Sequence, residues 1–198
     1  MASRLSTSGK DFLAIVPRRT ALLVIDMQNA FVAEGAPLET PDARAMIPRL
    51  ERLIRFAREH GMPVVWTQSD HHPPYGGLLL RKFPLIRDNR ILWRGEASFE
   101  MYPQMLQPQE RAGEYRIVKN KYDAFFETKL GAILRYHNVD TVIITGTATN
   151  VCCESTARSA FMRDYQVVFP RDANASFDRA MHEATLKNID LFFGRVVT

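Results

Sequence analysis

Ala21-Leu22-Leu23-Val24-Ile25 is an unbroken apolar run closed by a single acid, Asp26. A strand with one face in water alternates apolar and polar residues. A continuous run therefore predicts a strand covered on both faces, as in a parallel sheet held between helices. The unit recurs: Pro63–Thr67, Tyr115–Val118, Thr141–Gly146 and Gln166–Phe169 read as further strands, and Arg195–Val197 as a sixth at an edge. Helix-period stretches separate them. Met46, Ile47, Leu50, Leu53, Ile54 and Ala57 share one stripe that stops at Gly61. Pro48 suits only a first turn, so that helix is expected to begin near it. Thr128 is placed to cap a helix carrying Leu130, Ile133 and Leu134, with Asn138 ending it. Asn150 is expected to cap a helix from about Val151 to Asp164, and another runs from after Ser176 to about Phe192. Between residues 69 and 113, Pro73-Pro74 and Gly76-Gly77 mark loop, and Phe99–Leu106 reads as a short helix. The alternation predicts a three-layer α/β/α sandwich with a mostly parallel, about six-stranded sheet, in one domain spanning residues 1–198.

Composition narrows the function classes. The chain has 198 residues, 46% of them hydrophobic, which suits one folded domain rather than a disordered segment. The net charge of +4 comes from interspersed signs, without the basic stripe or signature motif of a nucleic-acid binder. The longest aliphatic run is far below the ~20 residues of a membrane span. Cys152 and Cys153 are adjacent, so neither a disulfide framework nor a CxxC metal knuckle can be written. Met1–Lys10 lacks the apolar core of a secretory signal, and a cytoplasmic location is expected.

In parallel sheets ligands sit beyond the carboxyl ends of the strands. Three reactive side chains fall there: Asp26 after the first strand, Lys119 after the third and Cys152 in the turn after the fourth. Each has an ordinary reading, as a strand-end acid, a surface lysine beside Lys121, or a small packing residue; their joint placement favours a site. In the first turn of a helix Cys152 is expected to have a lowered pKa and a nucleophilic thiolate. Cys153 reads as packing. The short side chains of Thr147-Ala148-Thr149-Asn150 let backbone N–H groups approach a substrate oxyanion. Phe31, Trp66, Trp93, Tyr122 and Phe125 are candidate pocket walls, each with core packing as the alternative. Ser69 and Tyr122 are candidates for orienting a polar substrate group.

Three segments carry a resemblance: Val24-Ile25-Asp26-Met27-Gln28-Asn29-Ala30-Phe31, Lys119-Asn120-Lys121-Tyr122-Asp123-Ala124-Phe125, and Thr145-Gly146-Thr147-Ala148-Thr149-Asn150-Val151-Cys152. In order, spacing and strand context they resemble the isochorismatase-like cysteine hydrolases, over roughly residues 18–198. The turn through Cys152 and the following Glu154-Ser155-Thr156 look most like the ureidoacrylate amidohydrolases, and next like N-carbamoylsarcosine amidohydrolase. The resemblance implies a catalytic triad of Asp26, Lys119 and Cys152. It also implies a cis Thr147–Ala148 bond and an oxyanion hole from the N–H groups of Ala148 and Cys152. Asp123 stands where serine is common.

Resemblance to nicotinamidases fails at the metal site. Asp70-His71-His72 supplies an Asp-x-His pair, but no histidine follows until His137, and Trp93-Arg94-Gly95 replaces their Trp-Pro-x-His-Cys segment. Neither a metal nor a cofactor is expected. Isochorismatases proper carry glycine at the position of Cys152, so the cysteine favours acyl chemistry over vinyl-ether hydrolysis. The expected activity is cleavage of a C–N bond in a small amide, ureido or carbamoyl compound through an acyl-enzyme, in a homo-oligomer of two to four chains. The alternatives are isochorismatase-type vinyl-ether hydrolysis, a non-catalytic binding module, or a redox sensor built on Cys152 and Cys153.

Overall fold

The computed structural model describes residues 15–198, so the expectation for Met1–Lys10 lies outside the described residues. β1 (Thr20–Ile25) is buried along its whole length. Leu22 and Val24 pack into one core while Ala21, Leu23 and Ile25 pack into another. Successive strand side chains point to opposite faces, so an unbroken apolar run serves both. The remaining strands are β2 (Val64–Ser69), β3 (Glu114–Lys119), β4 (Thr141–Thr147), β5 (Gln166–Pro170), β6 (Asn174–Ala175) and β7 (Arg195–Val197). Their order is β3-β2-β1-β4-β5-β7, with β6 paired to β4 off that path, and every strand pair is parallel. The strand not foreseen is β6, too short for any periodicity to reveal.

Helices cover both faces of the sheet. In chain order they are α1 (Asn29–Val32), α2 (Ala43–Glu59), α3 (Leu78–Lys82), α4 (Pro84–Asp88), α5 (Leu130–Tyr136), α6 (Glu154–Phe161) and α7 (Arg179–Asn188). Met46, Ile47, Leu50 and Ile54 of α2 join the Leu22–Val24 core. Leu130 and Leu134 of α5, Ala157 and Ala160 of α6 and Leu186 of α7 join the other. Each fully buried Leu or Ile contributes about 1.5–3 kcal/mol. A stripe of them holds a helix to the sheet more firmly than propensity does.

Several expectations are corrected. α2 begins at Ala43, not near Pro48, because Ala43, Met46 and Ile47 already belong to the buried stripe and Pro48 faces solvent. Its missing N–H is tolerated on that side. Phe99–Leu106 is not helical. A helix would need the Phe99 carbonyl to accept from residue 103, which is a proline without an N–H. That carbonyl instead accepts from Gln28 Nε2 at 2.7 Å and Gln68 Nε2 at 3.0 Å. Asn150 does not cap a helix: its Oδ1 accepts from Ser176 Oγ at 2.6 Å, and residues Thr149–Cys153 form a wide π-helical turn leading into α6. The last helix starts at Arg179, capped by Asp178, which accepts from the Met181 N–H at 2.9 Å. Just after the loop marked by Pro73-Pro74 and Gly76-Gly77 come α3 and α4, the latter opening on Pro84 at its first position, where a missing N–H costs nothing.

Candidate active site

The sheet order places β2 between β1 and β3 and puts β4 on the other side of β1. The carboxyl ends of four adjacent strands thus share one corner. β1 and β3 lie two strand spacings apart, roughly 9–10 Å, a gap that a lysine side chain is long enough to cross. Lys119, the last residue of β3, crosses it. Its Nζ lies 2.7 Å from Asp26 Oδ2 and 3.5 Å from Cys152 Sγ. It also donates to Ser69 Oγ at 2.8 Å and to the Lys121 carbonyl at 3.1 Å. The structure therefore brings Asp26, Lys119 and Cys152 into one cluster, buried in every member.

Local backbone geometry sets these positions. Asp26 has φ of 46°, so the chain turns sharply at the end of β1. Its N–H donates to the Thr67 carbonyl at 3.2 Å and to Thr67 Oγ1 at 3.1 Å. Thr147 Oγ1 donates back to the Asp26 carbonyl at 2.7 Å. Gly146 has φ of 117°, and a Cβ there would lie 2.1 Å from the Ile25 carbonyl oxygen. Only glycine lets β4 pass that close to β1. The Thr147–Ala148 peptide bond is cis, and the Ala148 N–H has no acceptor among the described residues.

Burial and charge act against each other here. Burial by itself would raise the Asp26 carboxyl; the Lys119 ammonium, with hydrogen bonds from Lys119 and Thr67 and a contribution from the Cys152 thiol, outweighs it and holds the group below the usual carboxylate range. Burial disfavours the Lys119 charge, and Asp26 with Cys152 outweighs that, so the ammonium is held above its ordinary value. Cys152 goes the other way from the sequence expectation. Burial pushes its thiol up to about 12, the Asp26 carboxylate adds to the rise, and Lys119 offsets only part. The lowered pKa expected of a first-turn cysteine fails because the residue sits in a desolvated turn beside a carboxylate. Cys153 is raised well above its ordinary value by burial and packs in the core with Ala157 and Ile189.

Ser69 is not free to orient a ligand. It ends β2 inside the cluster, donating to Asp26 Oδ2 at 2.8 Å while accepting from Lys119. Beyond Cys152 opens a chamber of about 300 Å³, lined by Phe31 and Tyr122 among others. Trp66 is core, its Nε1 donating to Glu114 at 2.9 Å, and Phe125 stacks on Tyr165. Neither they nor Trp93 line the chamber. Asp123 is turned away from it, accepting from Ser159 Oγ at 2.7 Å and the Phe125 N–H at 2.8 Å. Asp70 accepts from the His72 N–H at 3.2 Å, and among the described residues no group of three or more His, Cys, Asp or Glu is arranged to hold a metal ion.

Residues 20–198 match the isochorismatase domain. The chain belongs to the isochorismatase domain family. Among its relatives, the ureidoacrylate amidohydrolase RutB of Serratia proteamaculans (strain 568) is 34% identical, covering 93% of this chain and 81% of the relative. Nicotinamidase 3 of Arabidopsis thaliana is also 34% identical, covering 89% and 83%. A cysteine hydrolase from Pseudomonas syringae pv. phaseolicola 1448A superposes with a TM-score of 0.86 at 28% identity, covering 93% and 90%.

Within this isochorismatase-domain corner, sequence reasoning missed Thr67, Gln28 and the placement of His71. Thr67 donates to Asp26 Oδ1 at 2.5 Å. Gln28 ties β1 to β2 by accepting from the Ser69 N–H at 2.8 Å and donating to the Ser69 carbonyl at 3.0 Å. The signal for Thr67 was its spacing: Thr67 and Ser69 are hydroxyls two apart on one strand face, beside the strand that ends in Asp26. His71 lines the chamber, buried, with Nδ1 lacking a hydrogen-bond partner. Burial, with the Lys119 charge next, lowers it to about 4, so the ring is neutral.

Proposed function

We propose that the protein is a cysteine-dependent amidohydrolase acting on a C–N bond of a small amide, ureido or carbamoyl compound. The observation that carries this reading is the closed contact set at the chamber floor, with Lys119 Nζ 2.7 Å from Asp26 Oδ2 and 3.5 Å from Cys152 Sγ. The names of two relatives, ureidoacrylate amidohydrolase RutB and nicotinamidase 3, support it.

With the thiol raised and the Asp26 carboxyl lowered, the resting site holds S–H and carboxylate. Attack and proton transfer are then coupled: Cys152 Sγ bonds to the carbonyl carbon as its proton passes to Asp26. The Lys119 ammonium stabilises the negative charge developing on sulfur. The Ala148 N–H, with that of Cys152, takes the tetrahedral oxyanion. Collapse breaks the C–N bond, and Asp26 delivers its proton to the departing ammonia or amine, leaving a thioester. Water, deprotonated by Asp26, adds to the thioester, and the acid leaves as the thiol is restored.

Cys152→Ala is expected to remove ammonia release by at least about 10⁴-fold, as loss of a nucleophile does. Cys153→Ala keeps activity within a few-fold. Mass spectrometry of the wild type during turnover should show the acyl mass on the peptide containing Cys152. Turnover that survives Cys152→Ala overturns the reading and points to vinyl-ether hydrolysis.

A further inference from the structure

The floor of the chamber is ionic but closed, and its walls are of another kind. Leu38, Phe83, Ile86, Leu92, Val151 and Phe177 line it together with Phe31 and Tyr122, and among the described residues no Arg, Lys, Asp or Glu side chain does. The polar groups on the lining belong to Ser69, His71, Tyr122 and the Cys152 turn. Ser69 is committed to Asp26 and Lys119. The Lys119 ammonium is paired with Asp26 and has no exposed surface, so it offers nothing to a substrate anion. Arg81, Lys82 and Lys121 line an outer groove that adjoins the chamber at Leu79 and Tyr122, and none of the three lines the chamber itself.

A carboxylate carried by the acyl group of a substrate bound at Cys152 would enter this chamber with no cation among the described lining residues to meet it. Burying an unpaired charge costs far more than an apolar wall returns. We propose that the enzyme is selective for substrates whose acyl portion is uncharged and apolar, branched aliphatic or aromatic, and discriminates against amido acids of the same size, whose carboxylate stays on the acyl group. The chamber's volume of about 300 Å³ suits a group of that kind, small and compact rather than extended. This inference rests on the proposed amidohydrolase reading for its chemistry, but its binding preference stands apart from turnover.

The test uses matched neutral and anionic compounds: isovaleramide and benzamide against succinamate and glutaramate. Ammonia release by the wild type should give kcat/KM at least about 100-fold higher for the neutral pair. Calorimetry on Cys152→Ala should show the same order in binding without any reaction. Phe83→Arg, at a half-exposed wall position that tolerates a charge, should narrow the gap by raising affinity for succinamate. Absent hydrolysis with the neutral preference intact in binding overturns the amidohydrolase reading alone. Equal or tighter binding of the anionic pair, or no binding of the neutral pair at millimolar concentration, overturns this inference.

Discussion

The floor and the walls of the chamber are built from different parts of the chain. Asp26 sits directly after β1, and Ser69 and Lys119 are the paired last residues of β2 and β3, each held by a buried side-chain partner. Much of the wall comes from the excursion between β2 and β3, where α3 and α4 are five-residue helices and Leu79, Phe83, Ile86 and Leu92 face the space above the thiol. The floor has little freedom: changing one ion leaves its partner buried and alone. The walls are apolar packing, where volume matters more than identity. Chemistry is therefore tied to the sheet, and selectivity is left to an insert that can vary without disturbing it.

The harshest way to break that contrast is to remove one ion from the floor. Lys119→Met leaves the Asp26 carboxylate buried without its partner, at a cost of about 3–5 kcal/mol. Turnover should fall by at least about 10⁴-fold as well. Adding Asp26→Asn removes the stranded charge, so denaturant unfolding should show most of the stability returning while ammonia release stays absent. Stability that does not return in the double variant would mean the pair is not what holds the floor together.

Acid and alkali sharpen the same point from opposite sides. Asp26 is held below its ordinary 3.8, so its contribution to stability is complete above that value and is lost as pH falls through the still lower folded value. Activity and stability should hold down to about pH 4 and fail together below it. On the alkaline side the thiol at about 12 makes the free enzyme a poor nucleophile toward simple reagents. Iodoacetamide should alkylate Cys152 much more slowly at neutral pH than it alkylates free cysteine, whose pKa is ~8.5. The rate should keep rising through pH 10 without a plateau. A plateau near pH 7 would place a thiolate in the resting site and undo the coupled proton transfer.

The floor was legible in the sequence and the walls only in part: Phe31 and Tyr122 line the chamber, but Leu38, Phe83, Ile86, Leu92 and Phe177 carried no signal. Asp26, Lys119 and Cys152 could be picked out because a parallel sheet gathers strand ends, so three residues distant in sequence point to one corner. Thr67 escaped because a threonine in an apolar strand reads as a β-former. His71 was weighed only as the neighbour of an Asp-x-His pair, although it is Asp70 and His72 that bond to each other while His71 faces the chamber. The sign of the thiol shift was misjudged for a related reason. A helix N-terminus is visible in sequence, whereas complete desolvation by the surrounding chain is not. Phe99–Leu106 was misread because the group that claims the Phe99 carbonyl is Gln28, 71 positions away. Errors of this kind gather in the segment with little periodicity, whose shape comes from what it packs against.

The mildest change tests whether walls and floor are truly independent. Ile86 is buried and lines the chamber, and Ile86→Val removes one methyl group. The expected loss of stability is about 0.5–1.5 kcal/mol. The space it opens should shift relative kcat/KM toward an amide one methylene larger by roughly 10-fold, carried by KM, because an apolar pocket discriminates a methylene by ~1–3 kcal/mol. The acid limb of the pH profile should not move, since nothing within hydrogen-bond distance of Asp26 has changed. A displaced limb would show that the wall tunes the ion pair, and the division between a chemical floor and a selective insert would then have to be given up.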